Sequence, residues 1–208
     1  MFVVFMLSAA MMIYGFRRYQ DLSREIKART AAELDTRNLA RHDPLTGLPN
    51  RRFFEEKLEE YLGDASATQQ VAVLMLDLDG FKTVNDTHGH EGGDNVLLGV
   101  ASLLQKFARR SDFVGRWGGE EFVVGLAHTG QAVARTPAER LRASVEGHRF
   151  RLPGGVDVHV TASIGIATAA RGEPVDQLIA RADRAMYLAK SQGRNQCQQD
   201  DPCAPVPP

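Results

Sequence analysis

Val71 to Leu76 reads Val-Ala-Val-Leu-Met-Leu, an apolar run with no polar position in it. A strand with one wet face alternates polar and apolar residues. A strand without that alternation has to be covered on both faces. The run therefore calls for a sheet with helices packed against it. It ends in Asp77-Leu78-Asp79, which places two carboxylates where the chain leaves the sheet. Such strand ends are common ligand positions in α/β sheets.

The other segments fit around that strand. Asp43 to Asn50 (Asp-Pro-Leu-Thr-Gly-Leu-Pro-Asn) is a structured turn. Asn50 can cap a helix whose apolar face is Phe54, Leu58, Tyr61 and Leu62. A second helix is expected from near Gly92 through Val96, Val100, Leu103, Leu104 and Phe107. Phe113–Trp117 and Phe122–Val124 flank Gly118-Gly119-Glu120-Glu121, which reads as a hairpin turning on its two glycines. Thr136-Pro137-Ala138-Glu139 is a capping-box pattern that opens or kinks a helix through Leu141 and Val145. Val156 to Ala167 reads as a strand. A last helix from Pro174 carries Leu178, Ala182, Met186 and Ala189, and Gly193 ends it. The fold class expected is α/β (α+β), a central mixed sheet flanked by helices.

The ends of the chain are different. Residues 2–16 are apolar apart from Ser8, Tyr14 and Gly15, and Arg17-Arg18 follow. The run sits at the short limit of a membrane span, which needs roughly 17–25 residues. We read residues 1–16 as a membrane anchor, with the arginines keeping the domain in the cytoplasm beneath the inner membrane. A signal peptide fits less well, because the positive charge follows the apolar run. Residues 17–41 read as a linker helix, either a short coiled coil or a solvated single helix. Residues 42–198 form the domain, and the Pro-rich residues 199–208 are expected to be disordered. The net charge of −1 gives no reason to expect a nucleic-acid partner. The two cysteines, Cys197 and Cys203, lack metal-site spacing and read as reduced thiols.

If the hairpin pairs beside the first strand, Asp77 and Glu120 converge. Two carboxylates, backbone carbonyls and substrate phosphates suit Mg²⁺, and this donor set serves metal-assisted phosphoryl transfer. Asp79 is ambiguous between a ligand and an N-cap for a helix over Gly80-Phe81-Lys82, and the cap is favoured. Lys82 is a cation able to meet phosphate charge. Asp94 can accept from guanine N1–H and N2–H, and Asn85 can serve O6 or N3. Adenine would leave Asp94 facing an acceptor, so GTP is expected over ATP.

A series of motifs in order gives these residues a family. They are Asp43 to Arg52, Asp77 to Asp86, Gly89 to Asp94, Arg116 to Phe122 and Ser163-Ile164-Gly165, followed by Ala182 to Lys190 with Gly193-Arg194-Asn195. Over roughly Leu39 to Gln198 the chain resembles the GGDEF-domain diguanylate cyclases, here in a GGEEF form. The resemblance implies a fold like that of nucleotidyl cyclases and polymerase palms. It implies condensation of two GTP to cyclic di-GMP and two pyrophosphates across a homodimer, with Mg²⁺ or Mn²⁺. It implies metal ligation by Asp77, Glu120 and the Leu78 carbonyl, and deprotonation of the 3′-hydroxyl by Glu121, with Lys82 as transition-state cation. It implies substrate contacts from Phe81, Asn85, Asp94, Gly118, Gly119, Lys190 and Arg194. Arg109 and Asp112, with Arg140 as a second contact, match an inhibitory site for cyclic di-GMP. The rival is a catalytically silent module that binds GTP or cyclic di-GMP. Both acids and both glycines of the hairpin are present, which disfavours it.

Overall fold

A computed structural model describes Arg18 and residues 41–63 and 70–200. The apolar N-terminal run, nearly all of the linker, and Cys203 with the residues around it lie outside them. Among the described residues, no helix is long and apolar enough to cross a membrane.

The apolar run becomes β1 (Val71–Asp79), whose first eight residues are buried. It pairs antiparallel on one side with β3 (Glu121–Ala127) and on the other with β6 (Thr161–Thr168). The hairpin partner β2 (Phe113–Gly118) and the strand β7 (Cys197–Gln199) close the edges, giving the order β2-β3-β1-β6-β7. Only β6 and β7 run parallel, so the sheet is mixed as expected. Phe150–Arg151 (β4) and Asp157–Val158 (β5) form a separate small hairpin. The expected strand from Val156 is thus split between β5 and β6.

Alternation along β1 feeds two cores. Val71, Val73 and Met75 meet Phe54 and Leu58 of α1 (Arg51–Gly63) and Leu178, Ala182 and Met186 of α4 (Val175–Ser191). Leu74 and Leu76 join the cluster holding Val96, Val100 and Leu104 of α2 (Phe81–Phe107) and Leu141 and Val145 of α3 (Gln131–Glu146). Each fully buried Leu or Met contributes about 1.5–3 kcal/mol, so a polar residue within this run would cost more than an exposed site can return.

Helix α1 starts as read from sequence: the Phe53 N–H donates to the Asn50 side-chain oxygen at 3.0 Å. Two other starts differ. Helix α2 begins at Phe81 and breaks at Gly89 (φ 71°, ψ 174°), so the polar stretch ahead of Gly92 is helical too. Helix α3 begins at Gln131, ahead of Thr136, and Pro137 falls inside it. The capping-box pattern therefore does not mark its start.

The C-terminal end is better held than its composition implies. Arg181 donates to both carboxylate oxygens of Glu173 (2.8 and 2.7 Å), to Asp200 (3.0 Å) and to the Thr168 carbonyl (2.6 Å). This fixes Asp200, and pairing with Ile166 places Gln199 in β7, so neither residue belongs to the expected disordered tail. Cys197 opens β7. It is buried, and burial pushes its thiol up to about 12, so it is unreactive near neutral pH.

Sheet and helix come close together at Gly165 on β6. A Cβ there would run into the Ala182 carbonyl and the Met186 backbone of α4. Backbone cannot rotate away as a side chain can. Gly165→Ala should therefore destabilise the domain by about 2–3 kcal/mol, in the overpacking range, read as a lowered thermal midpoint. A variant that melts with the parent would contradict this packing.

Candidate active site

The β1–β3 register places Asp77 opposite Glu121. Like charges directly opposite in a sheet repel, and here the position is also buried: the Asp77 side chain is 5% exposed. Burial pushes its carboxyl upward, and Glu120 and Asp79 add to the rise. Lys190, from the last turn of α4, opposes it with its ammonium 2.7 Å from Asp77 Oδ2. The Glu121 carboxyl is raised too, first by burial and then by Asp77 and Asp183, with Lys190 again opposing. Sequence reading quoted Asp183 within a motif but gave it no part in this electrostatics; its position on α4 beside Glu121 is a tertiary fact.

Asp77 lies within β1 rather than beyond its end, since pairing with β6 continues to Asp79. The hairpin also differs from expectation. A bulge at Trp117 shifts the register, Gly118 pairs with Glu121, and the two turn residues are Gly119 and Glu120. Only Gly119 of the tip has positive φ (50°). No atom lies within 4 Å of a Cβ built at Gly118 or Gly119. The glycines therefore leave the open space expected of them.

Arg116 holds this tip. Its guanidinium donates twice to the Gly119 carbonyl (3.1 and 2.7 Å) and once to Asp43 Oδ1 (2.9 Å). The Arg116 N–H also donates to the Pro49 carbonyl at 2.8 Å. Asp43 is in turn fixed by the Thr46 N–H and hydroxyl. The Asp43–Asn50 turn thus buttresses the acid-bearing hairpin, a role sequence reading did not assign.

Asp79 caps no helix. Gly80 stands at the α2 N-terminus in the left-handed region, with no side-chain cap. The Asp79 carboxylate instead accepts from Thr161, Ser163 and the Asn195 N–H.

Lys82 is exposed in the first turn of α2, Asn85 is half-buried one turn on, and Asp94 is exposed beyond the Gly89 break. The Phe81 ring belongs to the core rather than to an open site. Gly93 lies against both residues: a Cβ there would collide with the Asn85 side-chain oxygen and crowd the Phe81 ring tip at 3.1 Å. Arg194 is exposed on the turn after α4.

The second expected site is a separate cavity of about 360 Å³, lined by Arg109, Asp112, His128, Thr136 and Arg140 among others. Asp112 is fixed by accepting from the Arg109 and Ala127 N–H groups. The Arg140 guanidinium stacks over Phe107 at 4.8 Å.

Among the described residues, no group of three or more His, Cys, Asp or Glu is arranged to hold a metal ion by itself. A cation here would rely on Asp77, Glu120, main-chain oxygen and the substrate's own oxygens. That all-oxygen, incomplete donor set fits a hard divalent ion bound together with phosphates.

The site is thus a buried acid near the end of a central antiparallel strand, facing the two adjacent acids of a hairpin, on a mixed sheet covered by helices. The chain belongs to the GGDEF family: residues 40–196 match the diguanylate cyclase GGDEF domain. It is 38% identical over 185 residues to the diguanylate cyclase DgcM of Escherichia coli K12, covering 88% of this chain and 44% of the relative. It is 43% identical over 160 residues to the response regulator PleD of Caulobacter vibrioides, covering 76% of this chain and 35% of the relative. The chain thus spans less than half the length of these two proteins. Among solved structures, the coiled coil and GGDEF domain of Caulobacter crescentus DgcB in complex with c-di-GMP superposes with a TM-score of 0.82. It is 31% identical and covers 88% of this chain and 97% of that one.

The Gly93 packing yields a test. A Cβ at Gly93 meets the end of the Asn85 side chain first and crowds the buried Phe81 ring less closely, so Gly93→Ala should lower the melting temperature only modestly. It should turn Asn85 out of place, and if that side chain contacts a bound nucleotide the affinity for GTP should fall by about tenfold, the size of one hydrogen bond, read by calorimetric titration. Parent affinity in the variant would separate Asn85 from the nucleotide.

Proposed function

We propose that this domain joins two GTP into cyclic di-GMP and releases two pyrophosphates. The observation that carries the reading is Glu121 held opposite Asp77 with its carboxyl raised by burial. A carboxylate whose affinity for protons is raised towards neutrality is a better general base. Glu121 takes the proton of the 3′-hydroxyl of one GTP. That oxygen forms a bond to the α-phosphorus of the other GTP as the bond to the β-phosphate oxygen breaks. Repeating the step with the roles exchanged closes the ring. One chain presents one such set of acids and the product has two equal halves, which supports a homodimer with the two sites face to face.

Asp77, Glu120 and the Leu78 carbonyl are the groups suited to hold Mg²⁺ or Mn²⁺, which would supply Lewis-acid stabilisation of the phosphoryl charge. Lys82, Lys190 and Arg194 meet the phosphates, and Gly118 and Gly119 leave room for them. Asn85 and Asp94 read the guanine edge. Arg109, Asp112 and Arg140 bind the product in the second cavity and restrain turnover. The apolar run of residues 2–16, followed by Arg17-Arg18, supports an inner-membrane anchor with the domain on the cytoplasmic side.

Incubation of the protein with Mg²⁺ and GTP should give cyclic di-GMP, resolved by chromatography. Glu121→Gln should lose at least about 100-fold in rate, the low end for a general base. No product from a dimeric parent preparation would refute the reading. Asp94→Ser should erode the preference for GTP over ATP, and an unchanged ratio would remove Asp94 from the base site.

Arg109→Ala should continue to turn over as product accumulates, whereas the parent slows. Equal slowing in both would detach the second cavity from regulation.

A further inference from the structure

Three successive residues after α4 have positive φ: Gly193 (114°), Arg194 (63°) and Asn195 (46°). Glycine enters this region freely, but two side-chain-bearing residues in a row do not. Such a conformation persists only where its surroundings over-determine it, and it points to a use.

The surroundings do over-determine it. The Asn195 N–H donates to Asp79 Oδ2 at 3.0 Å. The Asn195 side chain accepts from Arg142 at 2.6 Å and donates to Glu146 at 2.7 Å, both on α3. The Arg194 N–H closes back on the Ala189 carbonyl at 3.0 Å. Asp79 is itself fixed, because Thr161 and the buried Ser163 of β6 donate to its two oxygens at 2.8 and 2.7 Å. Groups from β1, β6 and α3 thus lock one turn between α4 and β7.

What this turn presents is Arg194. Its side chain makes no hydrogen bond or ion pair among the described residues, and it follows Lys190, whose ammonium already reaches the site acid Asp77. A cation displayed without a protein partner, on a backbone held at a cost, suits an anionic ligand.

We propose that Asp79 is a positioning residue for the nucleotide's phosphates: it locks the Gly193–Asn195 turn so that Arg194 is held ready beside Lys190. This rests on the GTP-binding reading above. Asp79 touches no substrate and acts through the turn.

The test compares affinities for GTP and for guanosine, which lacks phosphate, by calorimetric titration of the full chain. Asp79→Ala should lose about tenfold for GTP, the value of one hydrogen bond to a charged group, and less than about twofold for guanosine. In an Arg194→Ala background the same change should cost almost nothing, since coupled residues are non-additive. Asp79→Asn keeps one carbonyl oxygen for Thr161 and Asn195, and its amide can donate to Ser163, so it should restore most of the GTP affinity. Asp79→Ser keeps a hydroxyl near Thr161 and Ser163 but is too short to hold the Asn195 N–H, so it should fold and lose GTP affinity as Asp79→Ala does. That variant decides the matter if Asp79→Ala does not fold. Additive losses, equal losses for guanosine, or parent GTP affinity in Asp79→Ser would overturn the positioning role while leaving GTP binding intact. A parent that binds guanosine but not GTP, or neither, would overturn the functional reading and this role with it.

Discussion

Everything at the site depends on one pairing, the β1–β3 register that sets Asp77 across from Glu121. A shift of one residue would turn every side chain of β1 to the opposite face and mix the two cores. The register is therefore held by burial on both faces of the sheet and not by the acids. The acids are the costly part. They lie close together where water is scarce, and Lys190 is the protein's own countercharge. An acid cluster compensated by one lysine still favours further positive charge, and a metal ion with a nucleotide would bring it.

The supports around this pairing share a construction: residues distant in sequence fasten a short turn that carries a functional group. Arg116 and the Asp43–Asn50 turn fasten the hairpin tip from one side. Asp79, Arg142 and Glu146 fasten the turn that carries Arg194 from the other. Glycine acts by absence of a side chain at two further points. Gly165 lets α4 approach the sheet closely enough for Lys190 to reach Asp77, and Gly93 leaves room for Asn85.

Much of this was legible in the sequence, because burial and periodicity are local signals. The apolar run gave a strand covered on both faces, the flanking helices were visible from their apolar spacing, and Asn50 was readable as a cap. The misreadings share a cause. Asp79 looks like a cap because the following helix is its nearest partner in sequence; its actual donors are Thr161, Ser163 and Asn195, far along the chain. The hairpin was centred one residue early because a bulge at Trp117 has no local signature. The order of Gln199 and Asp200 was missed because it depends on Arg181.

The sequence was enough to establish that the chain makes a helix-covered sheet, and that it carries paired acids, Asn85 and Asp94, and a glycine tip in an order that places it in its family. Those follow from residue type and spacing, which act over a few residues. Which acid faces which, that Lys190 supplies the countercharge, and that Asp79 fastens a strained turn instead of capping a helix follow from strand register and helix docking. These bring together groups separated by tens of residues, and no local pattern encodes them.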